Sequence, residues 1–503
     1  MVWTVLGTVI PGVGLLRARR WVSGFTALLG TFALVGGLAY VASDRQRLFA
    51  AALTPSVLKS MTIVLVLVAI LWAMVIAASH VALRPAWLSG GQRAIGGLLV
   101  GALTFATAAP LAVAARYSYD QASLVTTVFV EQESQTRPTI VPGTKDDVWL
   151  NVPRINVLLV GNDDSTERKY GDQMTNTDTM ILASIDTRTG NMVLAGVPRN
   201  TMKMPFPKDS PLYKVYPNGW PEMANAMFAT LPTLVDKNIL GPTSSLGMDA
   251  LKLSIGEALG VKVDYYVMVN LDGLYTLVDA LGGVTVNIST PIAVGGDHSR
   301  GIRPDRYLQP GPNRKLTAAD AMIFARSRYD ADDFARMARQ RCLILGIVKQ
   351  ADPATMLTRY EAISKAGSKM VRTDIPASML PMFVELALRV KNGQIFGVTF
   401  ADSNGWWVSA SPDFARMKAT VAAAISQSTQ ASAGPVESSA APPPPATSVV
   451  VPPPVAPSTA KSTGKPPSIA RSTGVPTPTQ AAQNEADACA YNPPTPTPSA
   501  SKR

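Results

Sequence analysis

Three runs near the start of the chain, residues 21–43, 61–79 and 94–115, contain no charged side chain. Each is long enough to cross the roughly 30 Å hydrocarbon core of a bilayer as a helix. Backbone amides in hydrocarbon must find their partners internally, so such segments are confined to helices and the polar remainder lies outside them. Residues 3–16 are also apolar but shorter, and they carry Gly7, Pro11, Gly12 and Gly14. They read as a short or broken span, or as an interfacial piece within a segment 1–20. Repeated spans without a small-residue cleavage site argue against a removed signal peptide.

Short loops set the expected orientation. Arg17, Arg19 and Arg20 precede the first run, which puts its start in the cytoplasm. Arg45, Arg47 and Lys59 on the next loop pull the other way, whereas His80, Arg84 and Arg93 fall where the rule wants positive charge inside. The third run therefore exits, and the chain after Arg116 is expected outside the cell membrane, making this a multi-pass protein with an extracytoplasmic body.

The net charge of +11 is spread over loops, body and tail, in a chain only 16% charged. With no zinc-finger spacing, basic helix or aromatic–basic interleaving, it points to anionic lipid or cell wall and not to nucleic acid. Cys342 sits in a helical pattern and Cys489 in the tail. A bridge would tie a core to a flexible end, so two isolated thiols are the expectation. Residues 435–503 hold 17 prolines amid Ser, Thr and Ala. Such a segment buries too little apolar surface to offset its ordering entropy, so 429–503 reads as a disordered, extended tail.

Between spans and tail, a linker (116–150) precedes a body whose first part is 151–354 and whose second is 355–428. Strand patterns cover Ile155–Val160, Thr179–Ile185, Met192–Val197, Tyr265–Val269 and Val284–Ile288, with a further strand expected at Ala321–Ala325. Helical patterns cover Met248–Leu259, Leu271–Leu281 and Asp332–Gln350, the last with Phe334, Met337, Ala338, Cys342 and Leu345 as its buried stripe. The second part adds helical Met379–Leu388 and Pro412–Ile425 around a strand-like Gln394–Phe400. Trp406 and Trp407 are expected to pack onto the body. Together these predict an α/β fold with helices around one sheet.

Charge gathers at the ends of these apolar elements. Arg199, Arg326, Arg328 and Arg336 could each offer a planar fork to a phosphate or pyrophosphate. Aspartates among them would cancel that attraction unless they hold a divalent metal that bridges the anion. Asp163, Asp164 and Asp178 flank the first two strands, where such ligands belong. Asp332 and Asp333 lie within one helical turn of Arg336, so a local ion pair accounts for one arginine but not for the set.

Asn156 to Asp163, Thr177-Asp178-Thr179-Met180, Val197-Pro198-Arg199-Asn200, Leu281-Gly282-Gly283-Val284, and Ala325-Arg326-Ser327-Arg328 with Asp333 to Gln340 resemble the ordered motifs of the LytR-CpsA-Psr (LCP) family. The resemblance covers roughly residues 153–350. It implies a three-layer α/β/α domain with a mixed central sheet. It also implies a phosphotransferase that moves a glycopolymer from a polyprenyl-diphosphate carrier to peptidoglycan, with cell-wall synthesis proteins as further partners. Several spans and a proline-rich tail look most like members acting on arabinogalactan. By motif position Asp163 and Asp178 would hold Mg²⁺ or Mn²⁺ with Asp164 beside them. Arg199, Arg328 and Arg336 would act on the phosphates, with Asp333 or Asp164 orienting or deprotonating the acceptor. Arg326, Arg339, Arg168 and Asn200 would contact substrate. Many members have Arg where this chain has Asn176, and Asp where it has Asn200; Arg168 or Lys169 could replace the lost charge. A non-catalytic binder of lipid-linked precursors, or a polyprenyl-pyrophosphate hydrolase, would use the same residues. A long apolar groove for the prenyl tail should lie between sheet and helices, lined by Leu251, Ile255 and Leu259 on one helix and Leu274, Leu277 and Val278 on another.

Overall fold

The computed structural model describes residues 2–85, 87, 89–129, 133–139, 149–162, 176–298, 300–329, 331–350, 371–400, 407–431, 483–484 and 488–492. Two short helices, α1 (Val2–Val9) and α2 (Val13–Arg17), open the chain. At eight and five residues, neither has the ~20 residues that a span requires. Then follow α3 (Trp21–Ala42), α4 (Arg45–Leu53), α5 (Pro55–Leu83) and α6 (Gly90–Val128). Of these, α3, α5 and α6 are long and apolar enough to cross a membrane. Trp72 on α5 donates its indole N–H to the Thr8 carbonyl at 3.0 Å, so the opening segment packs beside α5. Helix α6 has 39 residues, about 58 Å at 1.5 Å per residue, so the first part of the expected linker is helix.

The body is built on β1 (Arg154–Asn162), β2 (Thr177–Asp186), β3 (Met192–Gly196), α7 (Pro211–Val215), α8 (Ala224–Leu234), α9 (Leu246–Leu259), β4 (Tyr265–Asn270) and α10 (Leu271–Ala280). It continues with β5 (Val284–Ile288), β6 (Ile292–Val294), β7 (Arg306–Leu308), β8 (Gly311–Leu316), α11 (Ala318–Arg326) and α12 (Asp333–Gln350). It closes with β9 (Val371–Thr373), α13 (Leu380–Asn392), β10 (Ile395–Val398), α14 (Phe414–Gln430) and β11 (Gln483–Asn484). Seven strands form one mixed sheet in the order β11-β10-β3-β2-β1-β4-β9. Neighbours β1/β4 and β3/β10 run parallel, and the other pairs run antiparallel. Two small two-stranded sheets, β5–β8 and β6–β7, stand apart among the described residues.

Because successive strand side chains point to opposite faces, alternate residues feed two cores. Leu158, Val160, Met180 and Leu182 pack with α8, α9 and α14. Ile155, Val157, Ile181 and Ala183 pack on the other side with α13 and Leu345 of α12. Sheet between helices on both faces is the three-layer α/β/α arrangement the resemblance implied. Residues 371–398 supply β9, α13 and β10, so they complete the same sheet and core as the first part.

Three expectations are corrected. Residues 321–325 lie inside α11, not in a strand; the Thr317 hydroxyl caps that helix by accepting from the Asp320 N–H at 3.2 Å, and its alanines favour helix. Cys342 and Cys489 are not isolated thiols but form a disulfide. That bridge closes a separation of 147 residues, which in the chain-entropy account removes on the order of 5 kcal/mol of freedom from the unfolded chain. Finally, part of the tail is ordered: β11 adds to β10, and Asn287 donates to the Cys489 carbonyl at 2.9 Å.

Candidate active site: an arginine-lined end of an apolar cavity

A cavity of about 520 Å³ lies between the sheet and helices α10, α11 and α12. Leu159, Ile181, Val267 and Val269 form its sheet wall, Leu274 and Leu277 its α10 wall, and Met322 and Ala325 its α11 wall. Helix α12 contributes Arg336, Gln340, Leu343, Ile344, Ile347 and Val348. Their spacing of three and four residues is one helical stripe. That stripe starts with a guanidinium near the helix N-terminus and becomes wholly aliphatic toward its end. One face of one helix therefore lines both the polar and the apolar part of the cavity.

Elements distant in sequence converge at the polar end. Arg199, just beyond β3, donates to Asp178 Oδ1 at 2.7 Å, and Asn225 approaches the same oxygen at 3.4 Å. Among the described residues, Asp178 Oδ2 takes no hydrogen bond. Arg336 is nearly fully buried and donates to the Asp178 carbonyl at 3.4 Å and to the Asp333 carboxylate at 3.0 and 3.2 Å. Arg328 reaches Asp333 from the other side at 3.2 Å. The Arg328 pKa is lowered by burial first and then by Arg336 and Arg199. Those guanidiniums crowd one another with only two described carboxylates, Asp178 and Asp333, between them. Such a cluster favours a compact polyanion.

Several expected residues meet here: Asp178, Arg199, Arg326, Arg328 and Arg336 all line the cavity. Asp333 does not line it; its carboxylate holds Arg328 and Arg336. Arg339, expected to contact substrate, is not in the lining. It donates to the Phe324 carbonyl at 2.8 Å and to the Ser327 carbonyl, tying the end of α11 to α12; burial lowers its pKa. Asn200 is not in the lining; its carbonyl accepts from Ser409. Asp163, Asp164, Arg168, Lys169 and Trp406 fall outside the described residues. Asn162, the last described residue before them, pairs with Thr177 and lines the cavity.

The groove expectation divides between the sheet faces. Leu274 and Leu277 line the cavity, whereas Val278 is core with the β5–β8 sheet. Leu251, Ile255 and Leu259 are core on the opposite face of the sheet. The aliphatic stripe of α12 was missed in their place. Its positions were legible as helical spacing, but a second stripe at Met337 and Leu345 competed with it. Both stripes are real, because α12 is covered on two sides. Gln340 was missed too: it lines the cavity, its Nε2 donates to the Ala325 carbonyl at 3.4 Å, and its Oε1 is buried with no partner among the described residues. Trp407 packs edge-on against Phe334 with ring centroids 5.4 Å apart, as expected of a packing residue.

The chain belongs to the LytR_cpsA_psr family, whose sequence profile matches residues 123–426, more than half of the chain. Biofilm regulatory protein A of Streptococcus mutans serotype c is 26% identical over 241 residues, 47% of this chain and 53% of that protein. The polyisoprenyl-teichoic acid–peptidoglycan teichoic acid transferase TagU of Bacillus cereus is 25% identical over 223 residues, 44% of this chain and 60% of that protein. The matched region thus spans 53% and 60% of the length of these two relatives. Among solved structures, Bacillus subtilis TagV is 18% identical, with 53% of this chain and 95% of that one covered and a TM-score of 0.38.

Proposed function

We propose that this protein transfers a glycopolymer, arabinogalactan, from a polyprenyl-diphosphate carrier to a peptidoglycan hydroxyl on the outer side of the cell membrane. One observation carries the reading: the apolar cavity ends in Arg199, Arg328 and Arg336. A polyprenyl diphosphate couples a long hydrocarbon to a compact anion, and this cavity offers each part its own wall. Burial of the chain contributes roughly 25 cal/mol per Å², while the guanidiniums hold the phosphates by directional, charge-assisted bonds. TagU, by its name, transfers teichoic acid from a polyisoprenyl carrier to peptidoglycan, which supports the same class of reaction here.

In this mechanism the acceptor oxygen forms a bond to the polymer-linked phosphorus. The bond from that phosphorus to the bridging oxygen breaks, and polyprenyl phosphate leaves with the electron pair. The hydroxyl proton passes to a carboxylate or to solvent. Arg199, Arg328 and Arg336 stabilise the charge that builds on the transferring and leaving phosphates. Asp333 positions two of them.

A hard divalent ion suits carboxylate oxygens, and the uncommitted Asp178 Oδ2 at the polar end fits such a ligand. Asp178, with Asp163 and Asp164, would hold Mg²⁺ or Mn²⁺. When bound, the ion would offset diphosphate charge.

The test uses the full chain in lipid nanodiscs with a polyprenyl-diphosphate oligosaccharide and peptidoglycan. Polymer should become covalently attached, and a chelator should abolish attachment until Mg²⁺ or Mn²⁺ is restored. Binding of donor with no transfer to any acceptor would overturn the reading. Reporter fusions after Arg116 and near Gln350 should both report an external location.

A further inference from the structure

A second cleft, of about 800 Å³, adjoins the cavity and shares Met322, Arg326 and Arg328 with it. Its far wall is the tip of the β6–β7 hairpin, which brings Asp297 and His298 opposite Tyr329. The His298 and Tyr329 rings lie 5.3 Å apart between centroids, tilted by 38°. Tyr329 follows Arg328 in the same short loop. That loop is fastened to β6 by the Ser327 hydroxyl, which donates to the Ala293 carbonyl at 2.7 Å. Gly296 has φ +79°, and a Cβ there would come within 3.0 Å of the Tyr329 ring. Hairpin backbone and ring are thus in close contact, and the cleft wall is held in register with the arginines.

We propose that this cleft is a saccharide subsite that receives the acceptor glycan; the inference rests on the transfer reading above. An aromatic pair flanked by a carboxylate and guanidiniums suits a pyranose ring, whose C–H face packs on aromatic rings while its hydroxyls meet planar polar groups. Displacement at phosphorus is in line, so attacking and leaving oxygens occupy opposite sides. The apolar cavity takes the leaving polyprenyl phosphate. The acceptor must then come from another side of the arginines, and the adjoining cleft shares that arginine wall. First sugars of the donor polymer have the same chemistry, so the two sources are separated by experiment.

The full chain in nanodiscs is titrated with N-acetylglucosamine tetrasaccharide by calorimetry, as wild type, His298→Ala, Tyr329→Ala and Tyr329→Phe. The alanine variants should bind roughly 3- to 10-fold more weakly, as loss of an aromatic contact implies, and Tyr329→Phe should bind like the wild type. In the transfer assay the alanine variants should raise KM for a peptidoglycan fragment by a similar factor. KM for the lipid-linked donor and acceptor-free release of polyprenyl phosphate should not change. Unchanged binding and unchanged acceptor KM in both alanine variants would overturn the subsite. A rise in donor KM alone would assign the cleft to the donor polymer and overturn the acceptor reading. Should wild type bind the tetrasaccharide at His298 and Tyr329 yet process no donor, the transfer reading falls and the saccharide site stands.

Discussion

The two ends of the paired strands β1 and β4 carry charge of opposite character. At the start of β4, Lys252 and Asp374 form an ion pair at 2.6 Å with side chains 0% and 1% exposed. Lys252 also donates to the Asp264 carbonyl at 2.9 Å, and Asp374 accepts from the Tyr266 N–H at 2.8 Å. At the other end, Asn162 and Asn270 pair beside a cavity where Arg199, Arg326, Arg328 and Arg336 face the carboxylates of Asp178 and Asp333. The first pair is matched one to one and closed to solvent. In the second, Arg199 and Asp178 keep 28% and 31% of their side-chain surface exposed, and positive charge predominates. Charge paired within the protein is costly to break, while an excess left at a cavity wall is available to a ligand.

The largest effect should come from opening the closed cluster. Asp374→Ala strands a buried ammonium, which costs about 3–5 kcal/mol, seen as a large fall in denaturation midpoint of the detergent-solubilised full chain. A loss below about 1 kcal/mol would break the comparison at that end. At the cavity, Arg199→Ala should cost about 2.7–4 kcal/mol of transition-state stabilisation, or roughly 100- to 1000-fold in transfer rate, while the melting temperature changes little. Transfer at the wild-type rate would remove Arg199 from the site.

Salt should sharpen the contrast. Raising NaCl from about 0.05 to 0.5 M shortens the screening length several-fold. We therefore expect affinity for a short-chain prenyl diphosphate to fall several-fold and the stability difference between wild type and Asp374→Ala to persist. Equal salt sensitivity at both ends would erase the distinction between them.

The smallest effect is a slope with pH. Burial raises the Asp264 pKa above its ordinary value, against the lowering pull of the Asn156 N–H, Lys262 and Lys252. Its folded form therefore takes up a proton at higher pH than its unfolded form. The cost of keeping Asp264 ionised is fully present above the folded pKa. It is relieved as pH falls through that value toward the ordinary carboxylate range. Wild type should thus gain stability relative to Asp264→Asn on acidification from about pH 7 toward pH 4. A difference that stays flat or changes in the opposite sense would contradict the buried-carboxylate account.

Much of this was legible in the chain itself. Strands β1 to β4 and helices α9, α10 and α12 follow period-2 or period-3.6 patterns bounded by Gly, Pro or polar residues, and local sterics enforce those patterns. The apolar spans follow from length and the absence of charge. Arg199, Arg328, Arg336 and Asp178 stand out because apolar packing alone gives no reason for them at the ends of such elements. Short-range cues were less secure where two of them competed, as at α11, where the short apolar run Ala321–Ala325 reads as a strand although the Thr317 cap and a run of helix formers make it helix.

Tertiary structure decided everything that depends on how helices are turned on the sheet. Leucines on α9 and α10 share the same amphipathic spacing, yet only those of α10 reach the cavity, because α9 packs on the opposite face. Spacing shows that a face is buried but not which neighbour buries it. Lys252 meets Asp374 across 122 residues, and Cys342 meets Cys489 across 147. Contacts at such separations arise only when strand order and helix placement are settled together. The sequence thus determined strands β1 to β5, helices α9, α10 and α12, the membrane-compatible helices and the charged residues that line the cavity. Only the folded chain determined which charges neutralise one another and which remain for a ligand.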